Sequence, residues 1–194
     1  MFTCKGCSTL YKCLQLYECC GNINVYMRKD LTICMRILSG EDKKEALHFI
    51  NKAVDVAYNS SCYRSLCGSV LVNNKKIIGS GHNSPPKNAC LDYCLKDDLP
   101  DDFKSDKTCC LHAEQRAIMD ALEHNADKIS GSRIYFIRLD TTTQEKLFAE
   151  DPYCTICSKF ALDAGVSEFV LYRKEGICVW DTDEYNKASF AFRK

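Results

Sequence analysis

Two short segments of the chain combine residue types that bind metal ions. The first is His112-Ala-Glu114, and the second is Cys154-Thr-Ile-Cys157. Each opens a predicted helix, where the positive end of the dipole lowers thiol pKa values, and cysteines three residues apart share one helix face. With neutral His112, the two thiolates make three ligands for one Zn²⁺ ion, whose fourth position stays open to water. The segments therefore predict a catalytic zinc site rather than a structural one.

Glu114 has a separate part in this chemistry. It lies two residues after His112, so in a regular helix it points roughly 200° away from that ligand. It is poorly placed as a fourth ligand, but from the first helical turn its carboxylate can reach the water on the metal. The spacing predicts that Glu114 shuttles protons.

Alternating helices and strands must position these residues. The order of elements predicts an α/β fold with three layers, α/β/α, around a mixed central sheet of about five strands. The pattern predicts three helices, one from Asp42, one over 112–124 and one over 154–164 that ends at Gly165. It also predicts a hairpin that turns at Asn73-Asn74 and strands over 132–138, 168–172 and 177–180. A long polar loop covers 83–107, and a weakly alternating tail covers 189–192.

Charge and hydropathy limit the classes of partner. The 194 residues carry 26 basic and 26 acidic side chains, so the formal net charge is zero. A neutral chain has no general attraction to phosphate backbones, which disfavours nucleic acid and anionic membranes and favours a small-molecule ligand. No apolar run of about 18 residues occurs, so neither a membrane span nor a secretory segment is predicted, and a cytoplasmic location is expected.

The cysteines are unevenly distributed along the chain. There are 15 of them, an odd number in a chain long enough to bury a core, which favours reduced thiols and metal ligands over a disulfide framework. Residues 1–40 show little apolar periodicity and are predicted to be a cysteine-rich appendage without a fixed fold, with residues 41–194 as the zinc-binding domain. The appendage holds Cys4, Cys7, Cys13, Cys19, Cys20 and Cys34.

Together the motifs resemble the zinc-dependent cytidine and deoxycytidylate deaminase superfamily, whose signature joins H-x-E to P-C-x-x-C. The resemblance covers about residues 45–175 and is closest to the deoxycytidylate deaminase branch. Residues 62–72 and 79–86 also look like the strand-pair segments of that branch. The resemblance implies a cytidine deaminase-like fold and an assembly of identical subunits.

Roles for individual residues follow from the resemblance. It assigns His112, Cys154 and Cys157 to zinc and Glu114 to proton transfer. It also implies that Asn83 binds a sugar hydroxyl of the substrate and that the backbone carbonyl of Tyr153 faces the exocyclic amine. The implied reaction is hydrolytic deamination at C4 of a cytosine nucleotide or nucleoside, with deoxycytidylate as the best single substrate.

The chain departs from the family pattern at two positions. Tyr153 separates Pro152 from Cys154, where the family has proline directly before the cysteine. Arg116 replaces the residue that is commonly asparagine, and it could bind a phosphate, orient a zinc thiolate or simply pair with Asp120. Lysines of the long loop could also bind a phosphate, and these are Lys87, Lys96, Lys104 and Lys107.

A second zinc site is a further expectation. In some deoxycytidylate deaminases a structural zinc uses two cysteines that match Cys62 and Cys90, but the histidine ligands of that site have no match. Cys94 and either Cys109 or Cys110 could take their place. Buried free thiols are the alternative.

Three other functions remain open at this stage. The protein could deaminate another amino-bearing ring, such as an aminopyrimidine, adenosine or guanine, or it could act on a polynucleotide. The zero net charge disfavours the polynucleotide. The third alternative is a zinc module without catalytic activity, which Glu114 disfavours because a purely structural zinc does not need that carboxylate.

Overall fold

The computed structural model describes residues 23–28, 31–100 and 109–192, with side chains from Met35 onward. Eight strands lie within these ranges: β1 (Ile23–Arg28), β2 (Leu31–Ile37), β3 (Leu66–Asn73), β4 (Lys76–His82), β5 (Arg133–Leu139), β6 (Lys146–Leu147), β7 (Glu168–Arg173) and β8 (Gly176–Asp181). The helices are α1 (Gly40–Ala57), α2 (Ala113–His124), α3 (Thr155–Ala164) and α4 (Thr182–Ala191), and short 3₁₀ helices occur at Pro86–Asn88, Leu95–Asp98 and Ala126–Lys128.

All eight strands join one mixed sheet. Its order is β1-β2-β8-β7-β5-β3-β4, and the short β6 pairs with the end of β5. β5 and β7 are parallel, and the chain between them passes through α3, as a parallel pair requires a crossover. The other strand pairs are antiparallel.

Helices cover both faces of the sheet. On one face, α1 buries Phe49, Ile50 and Ala53 against a cluster that includes Tyr135 of β5. On the other face, α2, α3 and α4 contribute to a second cluster around Phe169. The predicted α/β/α layering is confirmed. The expected number of about five strands is too low, because β1 and β2 come from a segment without clear periodicity and β6 has two residues.

Two glycines let α2 approach β4 closely. A Cβ atom at Gly79 would lie 2.3 Å from the Ala117 carbonyl oxygen, and one at Gly81 would lie 2.4 Å from the Ala117 nitrogen. Neither position has room for a Cβ atom, so only glycine permits this packing. The contact fixes α2, and with it His112 at the helix start, over the end of the sheet.

Local turn and capping chemistry explains two differences from the sequence prediction. The β3–β4 turn lies at Asn74 and Lys75, one residue later than expected, and both have positive φ angles of 48° and 61°. The tail predicted as an alternating strand is instead part of α4. This helix starts at Asp181, whose side chain accepts a hydrogen bond from the Asp183 N–H at 3.0 Å.

Part of the predicted appendage joins the sheet. β2 pairs with β8 through Met35–Ile37, and Met35 is buried. The boundary at residue 40 stays a prediction, since residues 1–22 and their five cysteines lie outside the described residues. Among the described helices, none is both long enough and apolar enough to cross a membrane.

Candidate active site

Three donor atoms meet where the first turns of α2 and α3 face each other. His112 Nδ1 lies 3.1 Å from Cys157 Sγ and 3.3 Å from Cys154 Sγ. The three atoms all lie within 4.8 Å of one another, and no other three such donors of the described residues do so. Ligand atoms on one tetrahedral zinc stand about 3.5–3.8 Å apart, so this donor triad fits a zinc ion.

The backbone at both helix starts holds the triad. His112 is the N-cap of α2, with extended backbone, and its N–H donates to Gln115 Oε1 at 3.0 Å. Cys154 is the N-cap of α3, and its Sγ accepts a hydrogen bond from the Cys157 N–H at 3.4 Å. His112 and Cys154 therefore lie at the positive ends of two helix dipoles, as the sequence predicted.

Hydrogen bonding shifts the pKa values of the two thiols in opposite directions. Bonds from the Cys157 thiol and from His112 lower the pKa of Cys154 to about 4. The same contact with Cys154, together with burial, raises the pKa of Cys157. A bound divalent cation would favour the thiolate form of both sulfurs, because a coordinating thiol is deprotonated.

Glu114 lies against the triad in the first turn of α2. Its side chain is 7% exposed and hydrogen-bonds with the Cys157 thiol. Burial raises the pKa of Glu114, and the nearby His112 opposes the rise. A buried carboxyl with a raised pKa can both accept and donate a proton, which suits the role predicted for it.

A cavity of about 200 Å³ opens from the triad. His112, Glu114 and Cys154 line its inner end, and β5 contributes Phe136 and Arg138 to its wall. The cavity combines apolar walls with a few convergent polar groups, which is typical of a small-molecule site.

Asn83, predicted to bind a sugar, lines this cavity in a fixed orientation. Its Oδ1 accepts hydrogen bonds from the Cys67 N–H and from Ser60 Oγ, both at 2.7 Å. Its Nδ2 donates to the Ser65 carbonyl at 3.0 Å. These partners fix the amide orientation, and the second Nδ2 hydrogen has no partner among the described residues.

Tyr153 also lines the cavity, next to the ligand Cys154. Its ring lies 5.9 Å from that of Phe192 and is half exposed. Burial raises the pKa of Tyr153, and the charges of Glu114 and Cys154 add to the rise. An ion pair holds the turn before it, since Arg173 Nη1 lies 2.9 Å from Asp151 Oδ1.

Arg116 does not line the cavity. Its Nη2 donates to the Pro85 carbonyl at 2.8 Å and to the Ser84 carbonyl at 3.3 Å. The Asp120 carboxylate, the alternative partner, instead accepts from the Ser80 N–H at 2.7 Å. Arg116 therefore holds the start of the long loop against α2.

Four of the five cysteines proposed for a second zinc converge at the cavity rim. Cys109 Sγ lies 3.9 Å from Cys94 Sγ and 3.8 Å from Cys110 Sγ, and Cys62 contacts Cys110. The structure does not bring Cys90 to this thiol cluster. Cys90 is exposed, because its segment between the first two 3₁₀ helices faces outward.

Sequence reasoning missed two cavity residues. Tyr185 belongs to α4, most of which the sequence pattern assigned to no element, and its ring stacks on Phe169 at 3.9 Å between centroids. Arg138 follows Phe136 on β5 at strand spacing, and a charge on the inward face of a predicted strand was the signal available in the sequence.

Comparison with known proteins places the chain in a family. Residues 43–173 match the model described as the cytidine and deoxycytidylate deaminase zinc-binding region, so the protein belongs to this deaminase family. Similar curated proteins include a deoxycytidylate deaminase of Saccharomyces cerevisiae, 25% identical over 154 residues, and one of Mycobacterium phage D29, 29% identical over 136 residues. The matches cover 73% and 66% of this chain, but 44% of the yeast protein and 93% of the phage protein.

Solved structures with a similar fold are also known. The apo dCMP deaminase of cyanophage S-TIM5 is 23% identical, with a TM-score of 0.47 over 68% of this chain and 82% of the phage chain. A cytidine deaminase of Burkholderia pseudomallei is 18% identical, with a TM-score of 0.47 over 72% and 94% of the two chains.

Proposed function

We propose that the protein is a zinc-dependent hydrolase that converts deoxycytidylate and water to deoxyuridylate and ammonia. The observation that carries this proposal is the meeting of the His112, Cys154 and Cys157 donor atoms with buried Glu114 at the inner end of one cavity. The names of the yeast and phage relatives support the choice of substrate.

The donor triad and Glu114 divide the chemistry between them. His112, Cys154 and Cys157 would hold the zinc ion, which when bound supplies a Lewis acid that activates water. Glu114 accepts the first proton of the attacking water and passes it to ring N3, and it then takes the second proton from the new hydroxyl at C4 and gives it to the leaving amine. The C4–N bond breaks as the C4 carbonyl forms, and ammonia departs.

Substrate orientation is assigned to two further residues of the cavity lining. The remaining Nδ2 hydrogen of Asn83 donates to a sugar hydroxyl, and the backbone carbonyl of Tyr153 accepts from the exocyclic amine. Asn83 suits this role because its three local hydrogen bonds fix the direction of the amide before substrate arrives.

Assembly of identical subunits and a cytoplasmic location stay predictions.

The test of the function is ammonia release from a panel of substrates. The zinc-loaded protein is incubated with cytosine, adenine and guanine nucleosides and nucleotides and with single-stranded DNA. Deoxycytidylate is expected to have a kcat/KM about 10- to 150-fold above that of deoxycytidine, because a charged hydrogen bond to phosphate stabilises the nucleotide alone. Equal values, or a preference for another ring or for DNA, would contradict the substrate.

We also propose that the thiol cluster, Cys62, Cys94, Cys109 and Cys110, binds a second, structural zinc ion. Four thiolates at Zn–S distances of about 2.3 Å stand about 3.8 Å apart around the metal. The two sulfur–sulfur distances around Cys109, 3.9 and 3.8 Å, agree with that edge. No three of the four sulfurs all lie within 4.8 Å of one another, so the cysteines around Cys109 would have to move closer together to bind one ion. The metal would tie the segment before β3 to the middle of the long loop and to the segment that follows the loop.

Native mass spectrometry tests the second zinc. The full-length protein is expected to carry two zinc ions, and Cys109→Ser is expected to lose one of them because Cys109 is central to the cluster. Cys90→Ser is the matched control, since the same change at an exposed thiol should leave both ions bound. One zinc in the unmodified protein, or two in Cys109→Ser, would contradict the proposal.

A further inference from the structure

Arg138 lies on the cavity side of β5. Along this strand Ile134 and Phe136 contact the core under α2 and α3, whereas Tyr135 and Ile137 face α1. Alternation therefore directs Arg138 to the same face as Phe136, and both line the cavity.

The strand pairing places Arg138 beside another residue of the cavity lining. Its Cα partner on β3 is Cys67, which lines the cavity, and its partner on β6 is Leu147. The positive charge of Arg138 opposes the rise that burial causes in the pKa of Cys67, so the field of the guanidinium acts at the cavity wall.

The guanidinium has no partner among the described residues. Arg138 Nε is buried without an acceptor, and the side chain of Arg138 forms no hydrogen bond or ion pair with any residue that the structure describes. Native proteins satisfy nearly all buried polar groups, and a guanidinium has five N–H donors. A half-buried arginine whose Nε is buried, and which forms no ion pair with the described residues, is therefore suited to an anionic ligand.

Other cations near the site are already engaged. Arg64 Nη2 lies 2.5 Å from Asp97 Oδ1, and both side chains are at least half exposed. Arg173 binds Asp151 and Glu175, each at 2.9 Å. Lys96 also lines the cavity and has an interaction partner of its own, and Lys87 is an exposed loop residue outside the cavity lining. Lys104 and Lys107 lie outside the described residues.

We propose that Arg138 binds the phosphate of the substrate and is the residue that makes the enzyme prefer nucleotides to nucleosides. This inference rests on the proposed function, because it takes the cavity with the donor triad as the substrate site. The guanidinium donates two N–H groups to phosphate oxygens, which a nucleoside lacks. Arg138 touches only the phosphate, so the reacting ring is bound equally without it.

The experiment measures binding and turnover separately. Calorimetry of the zinc-loaded protein with deoxyuridylate and deoxyuridine, the two expected products, gives affinities without any reaction. Arg138→Gln is expected to lower deoxyuridylate affinity by about 10- to 150-fold and to leave deoxyuridine affinity unchanged. The kcat/KM for deoxycytidylate should fall by the same factor, while that for deoxycytidine stays constant. Arg138→Lys should recover part of the lost affinity.

Arg133→Gln is the matched control. It is the same change on the same strand, but Arg133 pairs with Glu168 outside the cavity lining, so the ratio of nucleotide to nucleoside affinity should not move. The inference is overturned if Arg138→Gln leaves the ratio of nucleotide to nucleoside affinity unchanged, which includes equal weakening of both ligands. In that case, deamination by the unmodified protein would still support the proposed function. Loss of nucleotide binding in Arg138→Gln, in a protein that deaminates nothing, would support the anion site and contradict the proposed function.

Discussion

Purified Cys157→Ala is expected to lack the zinc ion that the donor triad would bind. Cys157 Sγ is fully buried and supplies one of only three donors, so its removal leaves His112 and Cys154 with too few ligands to hold the metal. Metal analysis of the purified variant by inductively coupled plasma mass spectrometry measures this directly. Deamination is expected to be lost with the metal.

The control for this variant is another buried cysteine. Cys178 on β8 is as buried as Cys157, but its thiol bonds to the Gly176 carbonyl and does not line the cavity. Cys178→Ala therefore removes the same atoms from a core position and should keep full zinc content. Zinc content that is the same in Cys157→Ala and in the unmodified protein would remove the metal assignment.

Glu114→Gln is expected to keep its zinc and lose most of its activity. The amide has the size of the carboxyl but cannot accept and return a proton, and general acid–base groups contribute about 10²- to 10⁴-fold to rate. The fall should therefore appear in kcat, measured by ammonia release, with metal content and thermal unfolding close to those of the unmodified protein.

Glu123→Gln provides the comparison on the same helix. Glu123 is exposed on α2, away from the cavity, so the identical change in charge should leave kcat within about twofold. Turnover by Glu114→Gln near the normal rate would contradict the proton-transfer role, and a loss of zinc in that variant would show that Glu114 acts on the metal instead.

The three cavity variants have different expected signatures. Cys157→Ala loses metal and activity together, and Glu114→Gln loses activity alone. Arg138→Gln loses only the advantage of the nucleotide over the nucleoside. These patterns differ because the three side chains would act on different partners, namely the metal, the moving proton and the phosphate.

Local spacing predicted the residues of the candidate zinc site. His112 and Glu114 at one helix start, and Cys154 and Cys157 at another, follow from helix period and helix dipole, which are properties of a few neighbouring residues. The family resemblance and the α/β/α layering, both confirmed, rest on similar local patterns. The structure then brings the predicted donor atoms within 4.8 Å of one another.

Capping and turn chemistry limited the sequence prediction at the edges of the domain. The segment at 189–192 alternates like a strand, yet it continues a helix that begins at the Asp181 cap. β6 has two residues, too few for any period to be visible, and it exists because β5 extends beyond its pairing with β7. These elements depend on neighbours that are distant in the chain.

Only the tertiary structure decided which distant side chains share the cavity. Arg138 reaches it through the register of β5 with β3 and β6, and Tyr185 through the packing of α4 on Phe169. Arg116, predicted for the same region, is instead bound to loop carbonyls, and Cys90 faces solvent. The physical reason is that strand register and helix packing are set by burial over the whole sheet, whereas a sequence pattern records only the face on which each residue lies.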